Sequence, residues 1–360
     1  DLSKPMITLE VNYKESSKKI EFPCRERYLQ MVLECLHAPE TLPPKLYVRE
    51  VLNPQGLSGL GSQVLNLDEI NYLSKRLENL SADEYGKLLA IVKAQGYTDP
   101  KDLINATFNL DCYTLARNKR EMSSLGKKGI KTEYGLLSQT LGKEWTEVYD
   151  GQVFPRDRYQ ENYFLEAEIE YGGKKEYVYL PREALAITKS LSRLNAPSWE
   201  VCSYALTDFK SKDQSWKNKF EELLERESIF DVNRFLENLR SCDWNFKKLS
   251  AVLEYAGAGS MSELIKLSER IYDFEFIPKV GNAEEVGRYL IEHNYDNEVI
   301  EELKEFIDYQ GLGERQVSNN HGRFLSIGFV YLENGATLEE LLKDDEKESA
   351  EASLNRTLTQ

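Results

Sequence analysis

Histidine is nearly missing from this chain of 360 residues. The three present, His37, His293 and His321, have no metal-ligand spacing and read as surface or cap residues. Cysteine is sparse as well. Cys24, Cys35, Cys112, Cys202 and Cys242 are odd in number, widely spread and form no CxxC pair, which argues against both a disulfide framework and a zinc site. A reducing compartment fits that usage. No window approaches the ~18 unbroken apolar residues that a membrane span needs, and the opening residues DLSKPMITLE carry no basic-then-apolar leader. The expectation is a soluble, cytoplasmic protein with no membrane partner. The one Gly-rich segment, GLSGLGSQ (56–63), lacks the Lys of a phosphate loop and the strand-to-helix setting of a dinucleotide site. It reads as a flexible loop. Carboxylates are plentiful, but nothing marks one as buried with a raised pKa, so no acid/base pair stands out. The chain is therefore expected to have no catalytic residue, cofactor or metal, and is not read as an enzyme.

What is present is enough apolar surface for substantial cores, with 41% of residues hydrophobic and 11% aromatic. Single domains cluster near roughly 100 to 150 residues, so two or three are expected. The net charge of −15 is unevenly spread. Residues 1–250 hold 36 Lys and Arg against 38 Asp and Glu, whereas residues 251–350 hold 9 against 22. Thus 13 of the 15 excess negative charges fall in that last hundred residues. Such a C-terminal third repels nucleic acid and attracts basic surfaces.

The chain repeats itself. At an offset of 158, Glu10, Tyr13, Pro23, Leu33, Leu36, Ala38 and Pro39 meet Glu168, Tyr171, Pro181, Leu191, Leu194, Ala196 and Pro197. At an offset of 161, Lys87, Leu88, Ala90, Gly96, Leu103, Ile104 and Gly126 meet Lys248, Leu249, Ala251, Gly257, Leu264, Ile265 and Gly287. Each copy opens as strand, strand, helix, strand: Ile7, Leu9, Val11 and Tyr13 alternate with polar residues. A helical stretch follows, with Ile70, Leu73, Leu77 and Leu80 in one copy and Val232, Phe235, Leu236 and Leu239 in the other. Gly96 and Gly257 stand where helices would end. The fold class expected is α+β, a tandem duplication of a small α/β module plus a helical module. The boundaries are 5–66 and 67–131 for copy one, a connecting segment 132–162, then 163–227 and 228–290 for copy two. An acidic C-terminal α+β segment, 291–345, and a polar tail, 346–360, complete the chain.

A third match sets YGLLSQTLGKEWTEVY over IGFVYLENGATLEELL at an offset of 193, so copy two holds 32 residues absent from copy one, between about 291 and 326. They include DNEVIEELKEFIDYQGLGERQ (296–316). On one helix, Glu298, Glu301, Glu302, Glu305 and Asp308 fall within an arc of roughly 120°, opposite Val299, Leu303, Phe306 and Ile307. One face would dock and the other would be a carboxylate stripe with one charge per about 4 Å, close to the ~3.4 Å spacing of phosphates along a DNA strand. Like charges at i,i+4 repel by a few tenths of a kcal/mol each, a cost that a partner would explain. A merely solvated helix face is the plain alternative. Neighbouring positions gain acid too. Ser123 and Ser124 become Glu284 and Glu285, and Thr8, Glu10 and Asn12 on the solvent side of the first strand become Glu166, Glu168 and Glu170. The candidate partner-binding carboxylates are Glu284, Glu285, Glu292, Asp296, Glu298, Glu301, Glu302, Glu305, Asp308 and Glu314, with Glu166, Glu168 and Glu170 secondary. The one basic-rich stretch, RNKREMSSLGKKGIK (117–131), is a separate, weaker candidate for contacting nucleic acid.

The segment GRYLIEHNYDNEVIEELKEFIDYQGLGERQVSNNHGRFLSIGFVYLENG resembles the C-terminal part of the antirestriction protein ArdA family. The pattern there is a Gly-Arg helix start, an acidic helix, an (I/F)DY-x-x-(F/Y/L)G-(R/K) turn and a Gly-x-Phe…Gly-(F/Y)-Val strand. These fall on Gly287 and Arg288, on Glu298 to Glu305, on Ile307, Asp308, Tyr309, Leu312 and Gly313, and on Gly322, Phe324, Gly328, Phe329 and Val330. NLDEINYLSKRL, KDLINATFNLDCYTLARN and YDGQVFP are similar to the long, duplicated form found in Gram-positive bacteria and their mobile elements. The resemblance implies an elongated DNA mimic that occupies the DNA-binding groove of type I restriction-modification enzymes, formed by their specificity and methyltransferase subunits. It also implies a homodimer made through the C-terminal segment. An acidic adaptor or inhibitor of another DNA-binding defence complex, such as an RNA-guided nuclease, would need the same surface.

Overall fold

The structure, a computed structural model, describes residues 5–125, 128–157 and 162–343. The chain divides into two compact units, 1–210 and 211–360. That division falls inside the stretch 163–227 that the sequence reads as one module. The fold is mixed α+β with several small antiparallel sheets. No helix among the described residues is long and apolar enough to cross a membrane.

In the first unit the elements run β1 (Ile7–Tyr13), β2 (Ser16–Phe22), α1 (Glu26–Cys35), β3 (Lys45–Asn53), β4 (Gln63–Asn66), α2 (Leu67–Glu78), α3 (Ala82–Gln95) and α4 (Pro100–Phe108). Then come β5 (Tyr113–Ala116), α5 (Lys119–Leu125), β6 (Ile130–Thr132) and β7 (Gly135–Gln139), followed by β8 (Leu165–Tyr171), β9 (Lys174–Leu180), α6 (Ala184–Arg193) and β10 (Ser203–Phe209). The sheets have strand orders β2-β1-β3-β4, β5-β7-β6 and β10-β8-β9. One continuous core joins Ile7, Leu9 and Val11 of β1 to Leu29 and Val32 of α1, Ile70, Leu73 and Leu77 of α2, and Leu137 of β7. Local signals agree with these bounds. Ser81 and Glu84 form a reciprocal capping box at the start of α3, and Gly96 ends that helix with φ +67°. The Gly-rich segment 56–63 is not a loose loop: Gln55–Leu60 forms a 3-10 turn with Leu57 and Leu60 buried, and Gln63 opens β4.

The second unit runs α7 (Gln214–Arg226), α8 (Ile229–Ser241), α9 (Phe246–Ala256), α10 (Met261–Glu269), β11 (Phe274–Pro278), α11 (Ala283–Asn294), α12 (Asn297–Leu303), α13 (Tyr309–Asn319), β12 (Arg323–Leu325), β13 (Gly328–Leu332) and α14 (Leu338–Lys343). Its sheet has the order β11-β13-β12. Element positions recur. β8, β9 and α6 begin and end 158 residues after β1, β2 and α1, and α10 lies 161 residues after α4. The strand register recurs as well, with Tyr113 opposite Gln139 in one sheet and Phe274 opposite Leu332 in the other.

Buried charges tie α6 to α1 and α2. Lys189 Nζ lies 2.5 Å from Glu26 and 2.7 Å from Asp68. Arg193 donates through Nε and Nη2 to Glu176 and stacks 4.3 Å over the Phe154 ring. The connecting segment is clamped by Asn105, whose side chain accepts from the backbone N–H of Val148 and Tyr149 and donates to the Tyr149 carbonyl. Burial raises the Asp68 carboxyl above its ordinary value, and the adjacent Lys189 ammonium works against that rise. A carboxyl whose folded pKa is raised supports folding below its unfolded value and loses that support as pH rises through the folded one. Lys189→Met removes the neutralising cation beside Asp68 and is expected to cost about 3 to 5 kcal/mol near neutral pH. Denaturant unfolding at neutral and acidic pH should show the loss shrinking as Asp68 takes up a proton.

Candidate acidic interaction surface

The antiparallel strands β11, β13 and β12 form the base of the acidic segment. Val286, Tyr289 and Leu290 of α11 and Val317 of α13 pack on Ile277 and Phe329 of that sheet. The helix ends are fixed by caps. Asn282 accepts from the Glu285 N–H at 2.9 Å while Glu285 accepts from the Gly281 N–H at 2.8 Å, and Asp308 accepts from the Gly311 N–H at 2.9 Å.

The two helices run antiparallel and touch backbone to backbone. A Cβ at Gly287 would lie 1.9 Å from the Tyr309 carbonyl oxygen, and one at Gly313 would lie 1.7 Å from that of Ala283. No side chain fits at either position. Arg288 lays its guanidinium over the Tyr309 ring at 4.4 Å, beside this crossing. The Gly-Arg pair therefore sits within α11, one turn past its start, and the Asp-Tyr pair opens α13 as cap and first helical residue rather than forming a turn.

All ten primary carboxylates are exposed. Glu284, Glu285 and Glu292 lie on α11, Asp296 stands at the α12 N-cap without a side-chain capping bond, and Glu298, Glu301 and Glu302 lie on α12. Glu305 is in a 3-10 turn, Lys304–Phe306, Asp308 caps α13, and Glu314 lies on α13, where it accepts from Gln310. From Glu284 to Glu314 these ten carboxylates meet two cationic side chains, Arg288 and Lys304. Arg288 pairs with Glu284 at 3.0 Å and Lys304 with Glu301 at 2.8 Å. Among the described residues, Glu292, Asp296, Glu298, Glu302 and Glu305 face no salt-bridge partner.

Two expectations are corrected. The single striped helix with one docked face does not form. α12 stops at Leu303, a 3-10 turn follows, Ile307 is extended, and α13 starts afresh at Tyr309. The apolar side is not docked either: Val299, Leu303 and Phe306 are 40%, 48% and 83% exposed. The like-charged pairs Glu298/Glu302 and Glu301/Glu305 disfavour helix, and seven residues without a packed face have little to stabilise them as one. The secondary carboxylates do not line a free solvent face. Glu166 is 2% exposed and bound by Arg156 and Thr207. Glu168 pairs with Lys175 at 3.0 Å and accepts from Tyr177, which together hold its carboxyl below the usual range. Glu170 meets the same lysine at 3.6 Å.

The basic stretch 117–131 is partly neutralised: Arg117 pairs with Asp83, and its backbone N–H donates to Glu121. Gly126 and Lys127 lie outside the described residues, as does the tail from 344 onward. All five cysteines are free, and among the described residues no His, Cys, Asp and Glu cluster could hold a metal ion. Sequence reasoning missed the glycine crossing, for which two glycines inside helix-forming stretches were the available signal. Comparison of the chain with protein-family models, curated proteins and solved structures finds no match.

Substitution at the crossing is expected to be costly. Gly287→Ala and Gly313→Ala should each lose at least the ~1 to 3 kcal/mol typical of overpacking, read by thermal unfolding and by lost hydrogen-exchange protection in α11 and α13. Gly281→Ala, whose Cβ would meet nothing within 4 Å, is the near-neutral control.

Proposed function

We propose that the chain is a DNA-mimic inhibitor that occupies the DNA-binding groove of type I restriction-modification enzymes, acting in the cytoplasm by occupation rather than by catalysis. The observation that carries this reading is the exposed, largely unpaired row of carboxylates from Glu292 to Glu305. It sits in a segment that the otherwise matching elements of the first copy lack. We read the recurring element positions and strand register as a tandem duplication, with the acidic insertion as the part added for binding. The sequence resemblance to the ArdA family supplies the identity of the target.

The physics of such inhibition is direct. A groove built for DNA holds Lys and Arg at phosphate spacing, and exposed carboxylates exchange their water and counterions for those cations. The field of the acidic segment steers encounter before contact, which raises association rates by one to three orders of magnitude at low salt. Val299, Leu303 and Phe306 stand among these charges and add apolar contact on protein walls, which a purely solvated acidic face would not need.

The test is inhibition of DNA cleavage by a purified type I enzyme. Glu298, Glu301, Glu302 and Glu305 changed together to Gln should weaken inhibition on the order of a hundredfold through lost steering and pairing. Circular dichroism and melting temperature should hold, because these side chains are exposed. Inhibition by the native chain should fall steeply with added salt. Undiminished inhibition by the quadruple variant, or indifference to salt, would overturn the reading.

A further inference from the structure

We propose that the free edge of β10 is a self-association surface, at which the strand pairs antiparallel with β10 of a second copy of this chain. The two β-modules of the first unit differ at one place. In the first, β3 is covered by β4, with Lys45, Leu46, Tyr47 and Val48 opposite Asn66, Leu65, Val64 and Gln63. In the second, the residues at the same positions are Ser203 to Leu206 of β10, and the chain runs on into α7 without an intervening strand. Among the described residues, β10 pairs with β8 alone.

The vacancy is visible in burial. Leu46 and Val48, on the strand that β4 flanks, are closed off in the core at 3% and 0% exposure. Their counterparts Tyr204 and Leu206 are only half-buried, and Ser203, Ala205 and Thr207 on the other face are exposed. An edge of this kind keeps unpaired backbone donors and acceptors and draws a further strand unless it is guarded, commonly by lysine or proline. Of the other open edges in this unit's β-modules, β4 is only four residues long, and β2 and β9 are guarded by lysine. β2 carries Lys18 and Lys19, and β9 carries Lys174 and Lys175. β10, with the sequence SYALTDF, has no lysine, no proline and one charge, Asp208.

A second copy fits this edge by its own sequence. An antiparallel pair of identical strands is closed by a twofold axis, which makes the contact self-limiting. With the axis at Ala205, Tyr204 lies opposite Leu206 of the second copy and Ser203 opposite Thr207. Two apolar cross-strand pairs result, of a kind that stabilises sheets, while the Thr207 hydroxyl stays bonded to Glu166. No like charges face each other between Ser203 and Thr207 in that register. The two three-stranded sheets become one continuous sheet of six. Because each chain carries a net charge of −15, added salt should strengthen this pairing. That is the opposite of its effect on binding a basic groove, and it separates the two claims.

Sedimentation of the full chain over a wide concentration range should show a mass rising from 41.6 kDa toward twice that value. Ala205→Lys sets two ammonium groups against each other at the axis. It should weaken association at least tenfold while circular dichroism and melting stay unchanged, since Ala205 is exposed. In Ala205→Cys, opposed strand positions ~4.5 to 5.5 Å apart fall within disulfide reach. Mild oxidation should then give a bridge between the two copies of residue 205, identified by peptide mapping. A chain that stays monomeric at every concentration overturns the proposal, as does a dimer that tolerates Ala205→Lys and forms no 205–205 bridge.

Discussion

Where α11 crosses α13 there is no space for even one methyl group, and the acidic segment depends on that contact. α12 buries no side chain, and its carboxylates repel one another, so nothing within it can hold it in place. Its position is set from both ends instead. Val286, Tyr289, Leu290 and Val317 seat the flanking helices on the sheet, and the Asn282 and Asp308 caps fix where each helix begins. Gly287 and Gly313 let the helix backbones meet. Dispersion and local dipoles acting over a short separation thus carry a stretch whose own electrostatics oppose order. The charged side chains, relieved of any packing role, all face water.

Charge is handled in the opposite way in the first unit. There carboxylates are taken inside and matched: Asp68 and Glu26 around Lys189, Glu176 against Arg193, Glu166 against Arg156. A buried charge is tolerable only with a close counter-ion and hydrogen bonds, and removing one partner strands the other. Such pairs fix how α6 sits on α1 and α2 without adding net charge to the surface. The contrast between matched interior anions and unmatched exterior ones divides the chain's acidic residues into a paired, structural set and an exposed, unpaired one. Counting acids could not have done so.

Strands and helices with strong periodicity were legible from residues alone. β1 follows an alternating apolar pattern and α2 and α8 helical ones, which only one backbone conformation can bury, whereas Ser16–Lys19 of β2 are polar and carry no such signal. Gly96 and Gly257 end helices because each adopts positive φ. The acidic segment was legible in composition but not in shape. Its pattern of Val299, Leu303, Phe306 and Ile307 against five acids is a sound amphipathic helix on paper. Yet amphipathicity describes what could be buried, and no neighbouring surface takes Val299, Leu303 or Phe306 in. The secondary carboxylates failed for the converse reason. Strand alternation puts Glu166 on the polar side of β8, but Arg156 and Thr207 close over that side.

By itself the sequence determined the local vocabulary, namely which stretches are strand or helix, where they recur, and that excess negative charge gathers near the C-terminus. Those properties depend on neighbours a few residues away, within reach of backbone geometry and side-chain periodicity. The tertiary structure decided which anions are free and which are consumed, which helix pair can touch, and which strand edge is left open. Each of those depends on what residues distant in the chain bring to within a few ångströms. Pairing, steric exclusion and desolvation act only at that range.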